Sequence, residues 1–233
     1  MTILNVLFAR VGSTRFPGKV IEKINGKTLI EHCFERLSSN RYGSVVAIPS
    51  SPDNLPLKNI LESRNIPFFL GNQDPGKRLA EILEHNKYKK YERIIRTTAD
   101  NLFPDNQIVE EMLLAGHNKE FFFTAGGNGG LPKGVAVEIF TRSCFDQLIL
   151  PNLSDPNISE HITIHLRNAA SSSEIFSRYE SRKLGELSTT CDTPSDLDTL
   201  RTFFRLHNNW SSENCLTLVD LFSDFAISNS KAA

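Results

Sequence analysis

Apolar runs and amphipathic stretches alternate along the chain up to Thr124. The repeat, roughly 20–25 residues, leaves few folds open. Ile3 to Phe8 is a short apolar run ended by a polar loop, and Ser44 to Ile48 is a second, stopped by Pro49-Ser50-Ser51-Pro52. Between them Leu29, Ile30, Cys33, Phe34 and Leu37 recur at the helical period. Leu57, Ile60 and Leu61 predict a helix before Ile66 to Leu70, and Leu79, Ile82 and Leu83 another before Arg93 to Arg96. Ile108, Met112 and Leu113 predict a further helix before Glu120 to Thr124. This order predicts an α/β fold: a Rossmann-like, mostly parallel sheet with right-handed crossovers and helices on both faces. Ligands of such sheets sit at the carboxyl ends of the strands. The loops after Phe8, Ile48, Leu70 and Arg96 are therefore expected to line one cleft.

The rhythm breaks after Thr124. Gly126 to Gly130 reads as a loop, Val135 to Phe140 as a strand and Thr141 to Leu150 as a helix. Ile162 to Leu166 and Glu174 to Tyr179 are weaker candidates. Pro194, followed by Leu197, Leu200, Phe203, Phe204 and Leu206, predicts a helix with proline near its start. Cys215 to Phe222 is a short apolar helix candidate, and Ser228 to Ala233 reads as a frayed end. The expected division is an α/β domain over 1–207, with a small antiparallel insertion at about 125–180, then a C-terminal helix and tail over 208–233.

A chain of 233 residues needs no disulfide or metal to fold. Its formal net charge of −1 supplies no global field for nucleic acid or an anionic membrane, so any anion site is local. Cys33, Cys144, Cys191 and Cys215 form no CxxC pair and read as reduced thiols. Met1 to Asn5 has neither a basic segment nor a long apolar one, so no signal peptide is expected. No apolar run approaches the ~20 residues that span a bilayer. The expectation is a cytoplasmic protein with no membrane or nucleic-acid partner.

The local anion site is the loop Phe8-Ala9-Arg10-Val11-Gly12-Ser13-Thr14-Arg15-Phe16-Pro17-Gly18-Lys19. Glycines let backbone N–H groups approach a ligand, and successive N–H groups form a nest for phosphate oxygens. Arginine offers phosphate a planar fork and lysine a point charge. Ala9, Arg10, Gly12, Ser13 and Lys19 are the nucleotide-binding candidates here. The string is neither GxxxxGK[ST] nor GxGxxG. By composition alone, solvated charges and turn-forming glycines explain it as well. Ser50, after the second strand, and Arg78, after the third, are further candidates for the nucleotide; Arg78 equally suits a helix face.

Spelled out as A-R-x-G-S-x-R-x-P-G-K after a buried strand, the loop resembles the nucleotide-binding signature of the sugar cytidylyltransferases. It is most similar to the acylneuraminate cytidylyltransferase-like branch that contains the spore coat polysaccharide biosynthesis protein F. Further segments follow in order. Arg96-Thr97-Thr98-Ala99-Asp100 resembles R-x-T-x-D, and Pro132 to Phe140 resembles P-x-G-x-x-V-E-x-F. Ser159-Glu160-His161-Ile162-Thr163 resembles R-E-H-V-T, and Thr190 to Leu197 resembles T-V-D-T-P-E-D-L. The likeness runs over about residues 3 to 205. Serine stands at 159 and 188 where the pattern has arginine, and Asn101 replaces a small residue or cysteine.

The resemblance implies a fold of the nucleotide-diphospho-sugar transferase type. It also implies transfer of CMP from CTP to a small acidic sugar, nonulosonic or sialic-acid-like, with release of pyrophosphate, in surface glycan biosynthesis. Arg10 and Lys19 would neutralise the triphosphate, and Asp100 and Asp192 would hold Mg²⁺; Arg10, Lys19 and Asp100 are the implied catalytic residues. Mg²⁺ suits one or two carboxylates with phosphate and water. Glu138, Glu160 and His161 are the implied acceptor-binding residues, and the 125–180 segment the implied homodimer contact.

The residues by themselves leave alternatives. Asp192 equally reads as an N-cap before Pro194, and Asp196 as a first-turn acid on the helix dipole. Glu138 alternates with Val135, Val137 and Ile139, so it faces either solvent or a site. Arg96 orients Asp100 or touches phosphate. A glycosyltransferase using a preformed nucleotide-sugar would be expected to place D-x-D at the end of a central strand, whereas Asp196-Leu197-Asp198 falls in the last helix. A nucleotide-binding module without catalysis would not need the full set of Arg10, Lys19, Asp100 and Asp192.

Overall fold

A computed structural model describes residues 1–124, 130–167 and 184–230. Most of the Gly126–Gly130 loop, the Glu174–Tyr179 candidate and the last three residues lie outside the described residues. The strands are β1 (Ile3–Phe8), β2 (Lys23–Ile24), β3 (Lys27–Thr28), β4 (Gly43–Pro49), β5 (Phe68–Gly71), β6 (Arg93–Thr98), β7 (Phe121–Phe123) and β8 (Glu138–Thr141). The helices are α1 (Leu29–Leu37), α2 (Leu55–Ser63), α3 (Pro75–Glu84), α4 (Asn106–Ala115), α5 (Arg142–Cys144), α6 (Pro156–Glu160), α7 (Ile164–Arg167), α8 (Pro194–Leu206) and α9 (Cys215–Ser230).

The main sheet has six strands in the order β5-β4-β1-β6-β8-β7. The first four are parallel, as the alternating pattern predicts. β8 enters antiparallel between β6 and β7. The antiparallel part is therefore a strand of the main sheet, and a separate two-stranded ribbon, β2–β3, follows the loop from Ala9 to Lys19. The Val135–Phe140 run pairs as a strand only from Glu138. Ahead of it the Thr124 hydroxyl donates to Val135 O at 2.5 Å and accepts from Val137 N–H at 2.9 Å.

The period-2 alternation within each strand divides the core into two layers. Leu7, Ile95 and Ile139 face a layer formed with α1, α2, α4, α8 and α9. Leu4, Val6, Phe8, Ile94 and Phe140 face the other, formed with α3 and the segment from α5 to α7. Helix starts follow their caps. Thr28 and Glu31 form a capping box on α1, and Thr193 and Asp196 one on α8. Asp74 and Asp105 cap α3 and α4 through Lys77 N–H and Ile108 N–H.

Residues beyond 207 pack into the first layer. Trp210 is fully buried and stacks on Phe204 at 3.9 Å between ring centroids. Arg36 ties this segment down, donating to the carbonyls of Trp210, Glu213 and Phe103. Cys33, Cys144, Cys191 and Cys215 are free buried thiols. Burial pushes the Cys144 thiol up to about 11 and Cys191 up to about 12, which leaves both protonated and unreactive near neutrality.

Candidate active site

At the carboxyl ends of β1 and β6 lies a cleft of about 370 Å³. The loop after β1 supplies Ala9, Arg10, Ser13, Arg15 and Lys19 to its walls. Asp100 follows β6, Asp192 precedes α8, Arg78 comes from α3, and Glu160 and His161 close the end of α6. Nine of the expected site residues thus share one cleft, although they span positions 9 to 192.

The loop folds on itself before it meets a ligand. Ser13 N–H and Gly18 N–H both donate to Val11 O, at 2.8 and 2.9 Å. Gly18 has φ of 80°, a left-handed conformation that glycine takes without a Cβ penalty, and the turn it makes leads into Lys19. Val11 N–H donates to Asn54 Oδ1 at 2.9 Å. Asn54 is buried, and its amide donates to Ser51 Oγ at 2.7 Å.

The loop after β4 therefore supports the loop after β1 from behind and does not line the cleft. Ser50 is exposed and outside the cleft wall, contrary to the expectation that all four strand-end loops line it. The physical reason is the short turn Pro52–Asn54, which spends the polar groups of this loop on buttressing Val11. Gly12 likewise lies off the wall: a Cβ there would come within 3.1 Å of Asp53 Oδ2. Asn54 carries no motif, and sequence reasoning missed it.

Lys19 is the centre of the site. Its Nζ donates to Asp100 Oδ2 at 2.7 Å and to Asp192 Oδ1 at 2.9 Å. Arg15 meets the other oxygen of Asp192 at 2.9 Å, and Lys133 approaches it at 3.5 Å. Burial works against the charge on Lys19, but the two carboxylates outweigh it and hold the ammonium above its ordinary value. Burial likewise opposes the Asp192 charge, and Lys19, Arg15 and Lys133 outweigh it, holding that carboxyl below its ordinary value.

The two aspartates meet because the backbone behind them pairs. Cys191 N–H donates to Asp100 O at 3.0 Å, next to an antiparallel bridge between Asn101 and Thr190. The N-cap reading of Asp192 does not hold, since Thr193 caps α8. Asp196 acts through the same capping box, accepting from Asp192 N–H and Thr193 N–H at 2.9 and 2.7 Å.

Arg78 is 3% exposed, and burial together with nearby Arg10 pulls its guanidinium down to about 10. It remains charged at neutral pH. Its Nη1 donates to the carbonyls of Asn72 and Gln73 at 2.6 and 3.2 Å. Glu138 is not in this cleft. It is buried, paired with Arg96 and Arg167, and lines a second cavity of about 380 Å³ beside Thr124, Lys133 and Val137. Burial raises its carboxyl and the two arginines outweigh that, holding it below its ordinary value. Of the two positions where arginine was expected, Ser159 is buried against Gly76 of α3 and Ser188 is exposed.

Two carboxylates on one point, with hard oxygen donors and surrounding cations, fit a Mg²⁺–phosphate ligand, which takes one or two protein carboxylates. Among the described residues no group of three or more His, Cys, Asp or Glu side chains is placed to hold a metal ion without other ligands. A parallel sheet with a cationic loop and paired carboxylates at its carboxyl edge is the arrangement of a phosphate-handling α/β protein. The chain belongs to the cytidylyltransferase family, whose model matches residues 5–143.

Individual relatives agree with that assignment. The spore coat polysaccharide biosynthesis protein SpsF of Bacillus subtilis (strain 168) is 23% identical over 212 residues, which cover 87% of this chain and 86% of that protein. An 8-amino-3,8-dideoxy-manno-octulosonate cytidylyltransferase of Shewanella pealeana is 40% identical over 63 residues, 27% of this chain and 25% of that protein. In fold, the chain is similar to a cytidylyltransferase from Leptospira borgpetersenii serovar Hardjo-bovis, with a TM-score of 0.81 at 22% identity, covering 97% of this chain and 95% of that one.

Proposed function

We propose that this protein transfers CMP from CTP to a hydroxyl of a small acidic sugar, releasing pyrophosphate, as a Mg²⁺-dependent step of surface glycan biosynthesis. One observation carries the reading: Lys19, at the end of the phosphate loop, stands between Asp100 and Asp192 at 2.7 and 2.9 Å. The cation of the loop and the carboxylates of two distant segments thus serve one point. The names of the relatives point the same way, one to spore coat polysaccharide and one to an octulosonate sugar acid.

In this reading Ala9 and Ser13 contribute backbone and hydroxyl donors of the loop, and Arg10 and Lys19 neutralise the triphosphate and the departing pyrophosphate. Asp100 and Asp192 would hold Mg²⁺, which supplies charge neutralisation at the phosphate oxygens. Arg78 faces the nucleotide from α3. Glu160 and His161, exposed at the cleft mouth, position the acceptor hydroxyl. The protein mainly holds the reacting atoms in line and offsets their charge.

The proposal includes a cytoplasmic homodimer, whose state light scattering after gel filtration measures. No helix among the described residues is long and apolar enough to cross a membrane. The chemistry is tested by pyrophosphate release from CTP with candidate sugar acids, beside a thermal-shift panel of CTP, UTP, ATP and GTP with Mg²⁺. Selective binding of CTP stabilises the fold by RT ln(1 + [L]/Kd), about 2.7 kcal/mol at a hundredfold excess over Kd. Equal shifts with all four nucleotides defeat the reading.

A further inference from the structure

Arg96 and Glu138 are direct partners in the antiparallel register of β6 and β8, and Arg96 Nη1 donates to the Glu138 carboxylate. The two residues line different cavities. Arg96 lines the main cleft, whereas Glu138 lines the second one and is 2% exposed. Glu138 therefore meets a ligand of the main cleft only through Arg96. Phe8 stands beside the pair, with Arg96 Cζ 5.4 Å and Arg78 Cζ 5.5 Å from its ring centroid.

The two halves of the cleft hold their charges differently. Around Lys19, the carboxylates of Asp100 and Asp192 are in direct contact with Lys19 and Arg15, with Lys133 3.5 Å from Asp192. Around Phe8, one carboxylate, Glu138, serves both Arg96 and Arg167, and Arg78 is held by backbone carbonyls, with Asp74 and Glu81 as its nearby carboxylates. The Nε atoms of Arg78 and Arg96 are buried with no hydrogen-bond partner. Buried positive charge is costly, and an anion entering the cleft offsets that cost.

We infer that Arg96 anchors an anionic group of the acceptor, a sugar carboxylate, and that Glu138 is the positioning residue that orients its guanidinium. A guanidinium held on one edge by a carboxylate keeps its other N–H groups free for a second planar anion. The inference rests on the reaction proposed above and names the residue that selects an acidic sugar over a neutral one. It also gives a place to Glu138, which the main cleft leaves out.

The test separates the two halves of the cleft. Wild type, Arg96→Gln and Glu138→Gln are each titrated with CTP. The enzyme loaded with a non-hydrolysable CTP analogue is then titrated with 3-deoxy-manno-octulosonate, with N-acetylneuraminate and with their carboxyl-reduced alcohols. The expected result is CTP affinity within twofold of wild type in all three. At least one sugar acid binds loaded wild type, its reduced alcohol does not, and Arg96→Gln weakens the acid by about ten- to a hundredfold. Glu138→Gln weakens it less, and the double variant binds no worse than Arg96→Gln alone, an outcome that a purely structural role of Glu138 does not give. Loss of CTP affinity in Arg96→Gln assigns Arg96 to the nucleotide and overturns the inference. So does a loaded wild-type enzyme that binds neither acid, or an Arg96→Gln variant that binds as well as wild type. Failure of wild type to bind CTP defeats the proposed reaction instead.

Discussion

Lys19 Nζ lies 2.9 Å from Asp192 Oδ1, joining two residues 173 positions apart in the chain. Asp100 and Arg15 join the same contact. The phosphate loop places the lysine, and the backbone pairing of Asn101 with Thr190 places the aspartate.

The pair makes stability depend on pH at both extremes. Asp192 is held below its ordinary value, so its contribution is complete above the ordinary carboxylate range and is lost as pH falls through the depressed value. Lys19 is held above its ordinary value, so its contribution is complete below the ordinary lysine range and is lost only as pH rises through the raised one. Urea midpoints measured from pH 7 down to pH 3 should fall steeply in wild type and less steeply in Asp192→Asn. At pH 7 the variant should already be weaker, by roughly 1–3 kcal/mol.

Asp100→Ala should leave the circular dichroism spectrum unchanged and lower CTP-dependent pyrophosphate release by about a hundredfold or more. The site tolerates the change structurally, because Lys19 keeps Asp192 as a partner. Release near the wild-type rate would remove Asp100 from the reaction.

Asn54→Ala removes the acceptor of Val11 N–H from a buried position. The expected cost is about 1–3 kcal/mol of stability. CTP affinity should drop as well, since the loop loses its support; calorimetry on the folded variant reads it directly.

Gly134 has φ of +103°, and a Cβ there would stand 2.6 Å from Thr189 Oγ1 and from Thr190 N. Gly134→Ala combines backbone strain with a clash against the segment that carries Asp192, so a loss of order 1–3 kcal/mol is expected. Activity should fall with it. A melting temperature equal to wild type would show that the 189–190 backbone shifts without cost.

Trp210→Ala should destabilise the whole domain by about 3–5 kcal/mol, because it empties a buried site between Phe204 and His32. A single cooperative unfolding transition at a lower midpoint is the expected trace. Two transitions would mark residues beyond 207 as a separate unit.

Much of this was legible in the residue order. The strand-helix alternation predicts the parallel sheet, because each element's apolar period declares which faces are buried. The composition of the loop from Ala9 to Lys19 left solvated charges and an anion site both open, and its full spelling carried the resemblance to the family. Asp192 was ambiguous, and the choice fell to Thr193, whose hydroxyl captures Asp196 N–H at 3.2 Å and leaves Asp192 free to turn toward Lys19.

The remainder belongs to tertiary structure. No local signal tells that the loop after β4 turns away from the cleft to hold Val11, or that Asn54 does the holding. Alternation along β8 says that Glu138 shares a side with neither Val137 nor Ile139. Only the register against β6 puts Arg96 opposite it, and only the folded sheet brings the pair between two cavities. By itself the sequence determined which groups are available and how each segment folds, since period, caps and turns are local properties. Which groups meet was decided by strand pairing and layer packing, since those contacts join segments that have no influence on one another until the chain is closed.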